Sequence, residues 1–478
     1  MKIKKVQFYL VVSYILLLGY YLFFSMESFV ISLVLTPMAG LFLYISFQTN
    51  NITLSLFSLF FFISQGIDPP IFYMDKSSFD SQGWNAIGNF DFKLSSFFDI
   101  YSNVYILMFV ILLFSLLFYS TMPRALNDTS LKNRSSYLSK YKRINHVNAN
   151  KYSLFLILFI MILIPLNMYM YVNKIAMTGI VSPDLPFRLT GILFYFRVYF
   201  VPVMIFYLYM KSNRSLTLSL IVFLYAAISG LSSVSKSAFI LGSMPVLFFA
   251  ALNNNIKGLI YSSFFIIIFV GVVQVSRNVV YGSDAINIID YVKSIDIKSL
   301  FSVPFYKHVQ MISSSLFGTQ GVILAHQHTL IDQLSAIFDF FSLRPIMRDI
   351  AYELYGLEFG EEMNLGVGIG LIASLILLAN KNIIILIILG LIISIFLFAC
   401  EYIVKIYMLR KDIFSALALP LAFFLIFNLY AADMKKFYIL VLLSLCLIAF
   451  SNTILYKFLN SKISLFRICE PRKKEGIK

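Results

Sequence analysis

Apolar stretches of about the length needed to cross a bilayer recur from one end of this 478-residue chain to the other, and no other feature constrains its fold as strongly. A helix needs about 20 apolar residues to cross about 30 Å of hydrocarbon, where each backbone N–H and C=O must find its partner inside the protein. Runs that approach this length fall near 6–24, 29–47, 51–64, 100–120, 152–172, 191–210, 215–232, 237–252, 256–275, 366–379, 383–404, 413–431 and 437–456. Hydrophobic residues make up 60% of the chain and charged ones only 13%, about half the share in a soluble protein. Lipid is therefore the solvent for most of the chain. The fold class is an all-α polytopic membrane protein, one integral membrane domain over residues 1–478.

Thirteen crossings conflict with the charge pattern. Lys2, Lys4 and Lys5 hold the N-terminus in the cytoplasm by the positive-inside rule, yet thirteen spans would leave the tail 457–478, with seven Lys/Arg, outside. The run 366–379 is the weakest: it has fourteen residues and carries Gly366, Gly368 and Gly370, which suits a re-entrant or interfacial segment. Without it, the sequence predicts twelve transmembrane helices with both termini cytoplasmic. Cytoplasmic segments then carry 23 Lys/Arg against 4 Asp/Glu, and outer segments 14 against 18. The net charge of +15 is mostly topology, so no nucleic-acid partner is expected. The first run is expected to be an uncleaved span, because no small-x-small site precedes Glu27. Cys400 and Cys446 lie in apolar runs and Cys469 in the basic tail, so no disulfide framework is implied.

The long outer loops expected are 65–99, 173–190 and 276–365, while the cytoplasmic loop 121–151 reads as a basic linker. Chemistry is expected on the outer side, where cations run against the positive-inside trend. Arg188 sits where a loop enters its span, Arg197 about two turns deeper, Lys236 at the outer end of a span and Arg277 at the exit of another. An arginine at the depth of Arg197 costs roughly 3 kcal/mol, so it should face the bundle interior and be paired. Two partners suit it: a structural one, such as Asp184 or a backbone carbonyl, or an anionic ligand. A lipid-linked diphosphate fits the second reading, because guanidinium groups hold phosphate oxygens bidentately. Arg344 and Arg348, one helical turn apart in the 276–365 loop, are further candidates to close over such a group.

With a diphosphate as leaving group, only the attacking hydroxyl needs a base. Glu353, the Glu361/Glu362 pair and His326 are the candidates, against the bland reading of a hydrated acidic surface and a structural histidine. His326 and His328 are two residues apart and share no helical face, so no metal site is expected, nor any other cofactor. Trp84, the only tryptophan, lies among Asp75, Asp80, Asn85, Asn89 and Asp91; stacking on a sugar ring and anchoring at the membrane interface both suit it. No Gly-rich phosphate loop or serine- or zinc-hydrolase motif occurs.

The layout resembles the Wzy-type O-antigen polymerases, which polymerise oligosaccharide repeat units. About twelve spans, inner termini, a dominant outer loop late in the chain and a short glycine-bearing apolar segment are shared. Ser235-Lys236-Ser237-Ala238-Phe239-Ile240 is similar to the Ser-Arg-x-x-x-Leu run heading a central span of that family, with Lys for Arg, and Arg277 in Val275-Ser276-Arg277-Asn278 resembles the arginine after the next span. Eleven residues separate Arg344 from Gly356 where some members have ten, and Arg188 has no matching glycine. The resemblance implies a GT-C-like glycosyltransferase of the bacterial inner membrane that uses no nucleotide sugar. It would transfer a growing glycan from undecaprenyl diphosphate onto a new lipid-linked repeat unit, with membrane lipid and a chain-length regulator as partners. A lipid-linked oligosaccharide flippase and the O-antigen ligase are the alternatives; a flippase needs no 90-residue outer segment.

Overall fold

The computed structural model describes residues 14, 15, 18–22, 25–49, 51–74, 93–123, 149–175, 177, 189–213, 215–252, 256–282, 319–327, 330, 332–342, 370–409, 413–432 and 434–450. In chain order its helices are α1 (Met26–Gln48), α2 (Ile52–Met74), α3 (Leu94–Ser120), α4 (Ala149–Val172), α5 (the pieces Leu189–Tyr195, Phe196–Phe200 and Val201–Lys211), α6 (Leu216–Ser233), α7 (Lys236–Leu252), α8 (Ile256–Gly282), α9 (Thr319–Gln327), α10 (Gln333–Phe341), α11 (Gly370–Ala379), α12 (Ile383–Leu409), α13 (Ile413–Tyr430) and α14 (Met434–Phe450). Among the described residues no strand occurs. Six of these helices, α1, α2, α3, α4, α6 and α12, are long and apolar enough to cross a membrane.

Several boundaries differ from the sequence expectation. α2 does not stop at 64; it widens into a π turn over Phe62–Ile67 and continues through Asp68–Met74. Pro69 and Pro70 are tolerated because they open the helix that restarts after the π turn, where their missing N–H groups lose little. Residues 65–74 of the expected loop 65–99 are therefore helix, with Asp68–Tyr73 buried, and 94–99 already belong to α3. α8 likewise runs to Gly282, so the 276–365 segment begins as helix and includes α9 and α10.

The largest core joins α1, α2 and α3 to α9–α14. α3 and α12 run parallel within it. A Cβ on Gly390 would come within 2.7 Å of Val110, so only glycine permits this close approach. Four residues on, the Ser394 hydroxyl donates to the Ile111 carbonyl at 3.1 Å, and Phe398 packs on Tyr119 another turn along. A second core joins α4–α8. The two meet where Phe206 and Met210 of α5 pack with Ile52 of α2 and with Ile403, Val404 and Tyr407 near the end of α12. Val203, further back along α5, packs on the main core.

Helix ends are satisfied across the bundle. Asn51 makes no side-chain cap at the start of α2. Instead Glu401, fully buried on α12, accepts from both the amide and the hydroxyl of Thr53 at 2.9 Å, with the Lys405 ammonium 3.7 Å away. In the same way the buried Asp68 accepts from the Thr319 amide at 2.8 Å and so fixes the start of α9. A carboxylate at a helix N-terminus satisfies an orphan donor and opposes the dipole. Glu401→Ala should therefore lower stability by about 3–5 kcal/mol, because it leaves a buried ammonium without its acid. The double variant Glu401→Gln/Lys405→Met keeps an acceptor for Thr53 with no stranded charge and should cost far less. Thermal unfolding of the purified protein in nanodiscs checks this, and equal losses in the two variants would contradict it.

Candidate functional site

Four charged side chains are buried among the described residues: Asp68, Arg197, Glu401 and Lys405. The two acids bond to helix starts and Lys405 stands beside Glu401. Arg197 is different.

Arg197 lies in the π turn Phe196–Phe200 of α5, a sequence of bulky residues in which the ladder shifts to i→i+5. Its side chain is 3% exposed. Nη2 donates to the Ser229 carbonyl at 3.1 Å and to the Ser232 hydroxyl, both in the last turn of α6. The carbonyl-rich, negative end of a helix is a tolerable place for a cation. Yet Nε and Nη1, which carry three of the five guanidinium N–H groups, have no hydrogen-bond partner among the described residues. The backbone-carbonyl partner expected from sequence is thus present; Asp184, the other expected partner, lies outside the described residues, and among those described no carboxylate pairs with Arg197.

The serines of α6 that receive Arg197 also shape the turn that follows. Ser233 donates to the Ser229 carbonyl at 2.5 Å, Val234 closes the helix at φ 53°, and the Ser235 amide bonds the Gly230 carbonyl at 2.9 Å. This sharp reversal makes Lys236 the first residue of α7. Gly230 lets α6 and α7 close on each other, since a Cβ there would lie 2.7 Å from Phe239 and 3.4 Å from Val273 of α8. Position 277 is one turn beyond Val273 on the same face of α8, level with the Val234–Lys236 turn. The backbone positions of Lys236 and Arg277 therefore converge on the end of α6 that holds Arg197; their side chains lie outside the described residues.

A second polar feature lies at the turn before α12. An open cleft is lined by Asn103 of α3, Ala325 and His326 of α9, Ile376 and Ala379 of α11, the connecting Asn380, Lys381 and Asn382, and Ile383 and Leu386 of α12. Asn380 and Lys381 hold left-handed backbones, at φ 48° and 63°. His326 is partly buried and its Nδ1 has no partner among the described residues. Burial, then the nearby Lys381 charge, push its imidazole below the usual histidine value, against a weaker opposite pull from Asp99. It is therefore neutral at pH 7 and able to accept a proton.

Among the described residues no group of three or more His, Cys, Asp or Glu is placed to hold a metal. Of the other residues singled out by sequence, Trp84, Arg188, Arg344, Arg348 and Glu353 lie outside the described residues. Sequence reading passed over Asn103, inside an apolar run, and Asn380 and Asn382, ordinary turn and cap residues until the fold brings 103 beside 380. It also passed over Ser229 and Ser232; the serine-rich run from Ser229 to Ser237 was their one signal.

The chain matches no protein-family model, no curated protein and no solved structure.

Arg197 is a costly way to hold α6 in place. The Ser232 hydroxyl already donates to the Ile228 carbonyl at 2.6 Å and Ser229 already accepts from Ser233, so Arg197→Met strands neither. Removing an unpaired buried charge should leave the thermal midpoint of the purified protein equal to or above that of the parent. A clear fall in the midpoint would make Arg197 a structural prop.

Proposed function

We propose that this chain polymerises lipid-linked oligosaccharide repeat units at the outer face of a bacterial inner membrane. The observation that carries the reading is Arg197: a guanidinium 3% exposed in a helix otherwise bordered by bulky apolar residues, with Nε and Nη1 unpartnered. A fork of N–H donors without an acid suits a ligand that brings its own negative charge, and a diphosphate offers oxygens at the matching spacing. Lys236 and Arg277, whose backbones converge on the same end of α6, would share that charge. Arg188, Arg344 and Arg348 are the cations that the outer loops would add.

In this reading twelve helices cross the membrane with both termini cytoplasmic, and α11, ten residues and about 15 Å long, is re-entrant. α11 suits that role because all ten of its residues are buried in protein rather than turned to lipid. The growing glycan sits on undecaprenyl diphosphate with the diphosphate at Arg197. The acceptor hydroxyl of an incoming repeat unit attacks the anomeric carbon. A new glycosidic C–O bond forms, the sugar–phosphate bond breaks, and undecaprenyl diphosphate departs with its charge held by the cations. The hydroxyl proton passes to a base. His326 is the base we favour, neutral at pH 7 by burial, with Glu353 the alternative. Trp84 stacks on a sugar ring. No nucleotide sugar, metal or other cofactor enters the scheme, and a chain-length regulator would act on the same polymer.

The surface glycan of a strain lacking this chain should collapse from a ladder to single repeat units. Loss of all surface glycan would instead mean a flippase, and polymer stranded on the lipid carrier a ligase. Returning the Arg197→Met variant, present in the membrane at the parental level, should leave the ladder collapsed; a full ladder with that variant would remove the diphosphate site.

A further inference from the structure

We propose that the cleft around His326 is a saccharide subsite that takes the acceptor's terminal sugar through its hydroxyl groups; this rests on the polymerase reading above. The cleft has an apolar floor of Ala325, Ile376 and Leu386 and a rim of Asn103, Asn380, Lys381 and Asn382. Among the described residues no carboxylate lines it, which disfavours a cation, and its one full charge, on Lys381, stands on the exposed rim, where the ammonium can donate to a hydroxyl. Amides carry a donor and an acceptor each, as a sugar hydroxyl does.

The fold fixes which end of two of these amides is offered. The Asn382 Oδ1 accepts from the Ile384 and Ile385 amides at 3.0 and 3.4 Å as the cap of α12, so its NH₂ is left to donate. The Asn380 Nδ2 is directed to the Leu330 carbonyl at 3.4 Å, so its Oδ1 is left to accept. Donor and acceptor thus flank Lys381 on a turn whose left-handed residues hold them in place. Gln333 of α10 braces the same turn, donating to the Leu378 and Ala379 carbonyls at 2.7 and 3.0 Å. Vicinal hydroxyls of a pyranose match such a pair. His326 lines the same cleft, its Nδ1 covered by the protein and without a partner among the described residues.

The test uses the full-length protein in nanodiscs and the oligosaccharide repeat released by mild acid from the cell's own surface polysaccharide, free of lipid and phosphate. Saturation-transfer NMR should detect this saccharide on the parent protein. Binding should be about fivefold to tenfold weaker in Asn103→Ala and in Lys381→Gln, the loss expected for one hydrogen bond. Lys381→Gln sits on an exposed turn and so reports even if Asn103→Ala fails to fold. No transfer to the parent, unaltered transfer in a folded Lys381→Gln, or complete displacement by inorganic phosphate would overturn the proposal, the last by making the cleft an anion site. The outcome is separable from the polymerase test. A collapsed ladder without saccharide binding defeats the cleft alone, whereas binding together with an intact ladder in the deletion strain keeps the sugar site and removes the transferase.

Discussion

Polar groups in hydrocarbon have no water to fall back on, so each must be matched inside the bundle or carry a standing cost. Most of the architecture follows from how this chain meets that demand. Glu401 reaches from α12 to the first turn of α2, and Asp68 reaches from α2 to the first turn of α9. Tyr105, on α3, donates to carbonyls of Leu35 and Gln65 and so ties α1 to the π turn of α2. These bonds join segments far apart in sequence, and with glycine and serine contacts such as Gly390–Val110 and Ser394–Ile111 they set the register of the main bundle. Against that background the half-used guanidinium of Arg197 stands out, because the same bundle finds partners for its other buried charges.

In the proposed transfer, Arg197 and the His326 cleft would divide the chemistry. A diphosphate leaving group needs charge neutralisation but no acid, whereas the incoming hydroxyl needs orientation and a base. The first need suits the buried guanidinium against the end of α6; the second suits a wetter rim of amides beside a neutral imidazole. Along α12 the cleft stands at the start, while the Glu401–Lys405 pair lies near the other end.

The sequence displayed this fold unevenly. Periodic apolar runs announced the helices, and the depth of Arg197 in such a run announced a buried cation. The end of α2 was misread because Asp68-Pro69-Pro70 has the composition of a loop; only the π turn before it and the Thr319 amide beyond it make that stretch helical and buried. α9 and α10 were hidden in a polar outer segment because each is nine residues long, too short to register as a hydrophobic period. His326 was legible as a residue but not as a site, since its neighbours Asn103 and Asn380 are separated from it by 223 and 54 positions and meet only through tertiary packing.

The central claim is that the unpartnered donors of Arg197 exist to hold a diphosphate. Its most direct measurement is the affinity of undecaprenyl diphosphate, carrying no sugar, for the purified protein in nanodiscs, compared with that of undecaprenol. The account requires the diphosphate to bind well above the alcohol in the parent and to lose most of that advantage in Arg197→Met. Equal affinity for the two lipids, or a diphosphate preference that survives the substitution, would contradict it.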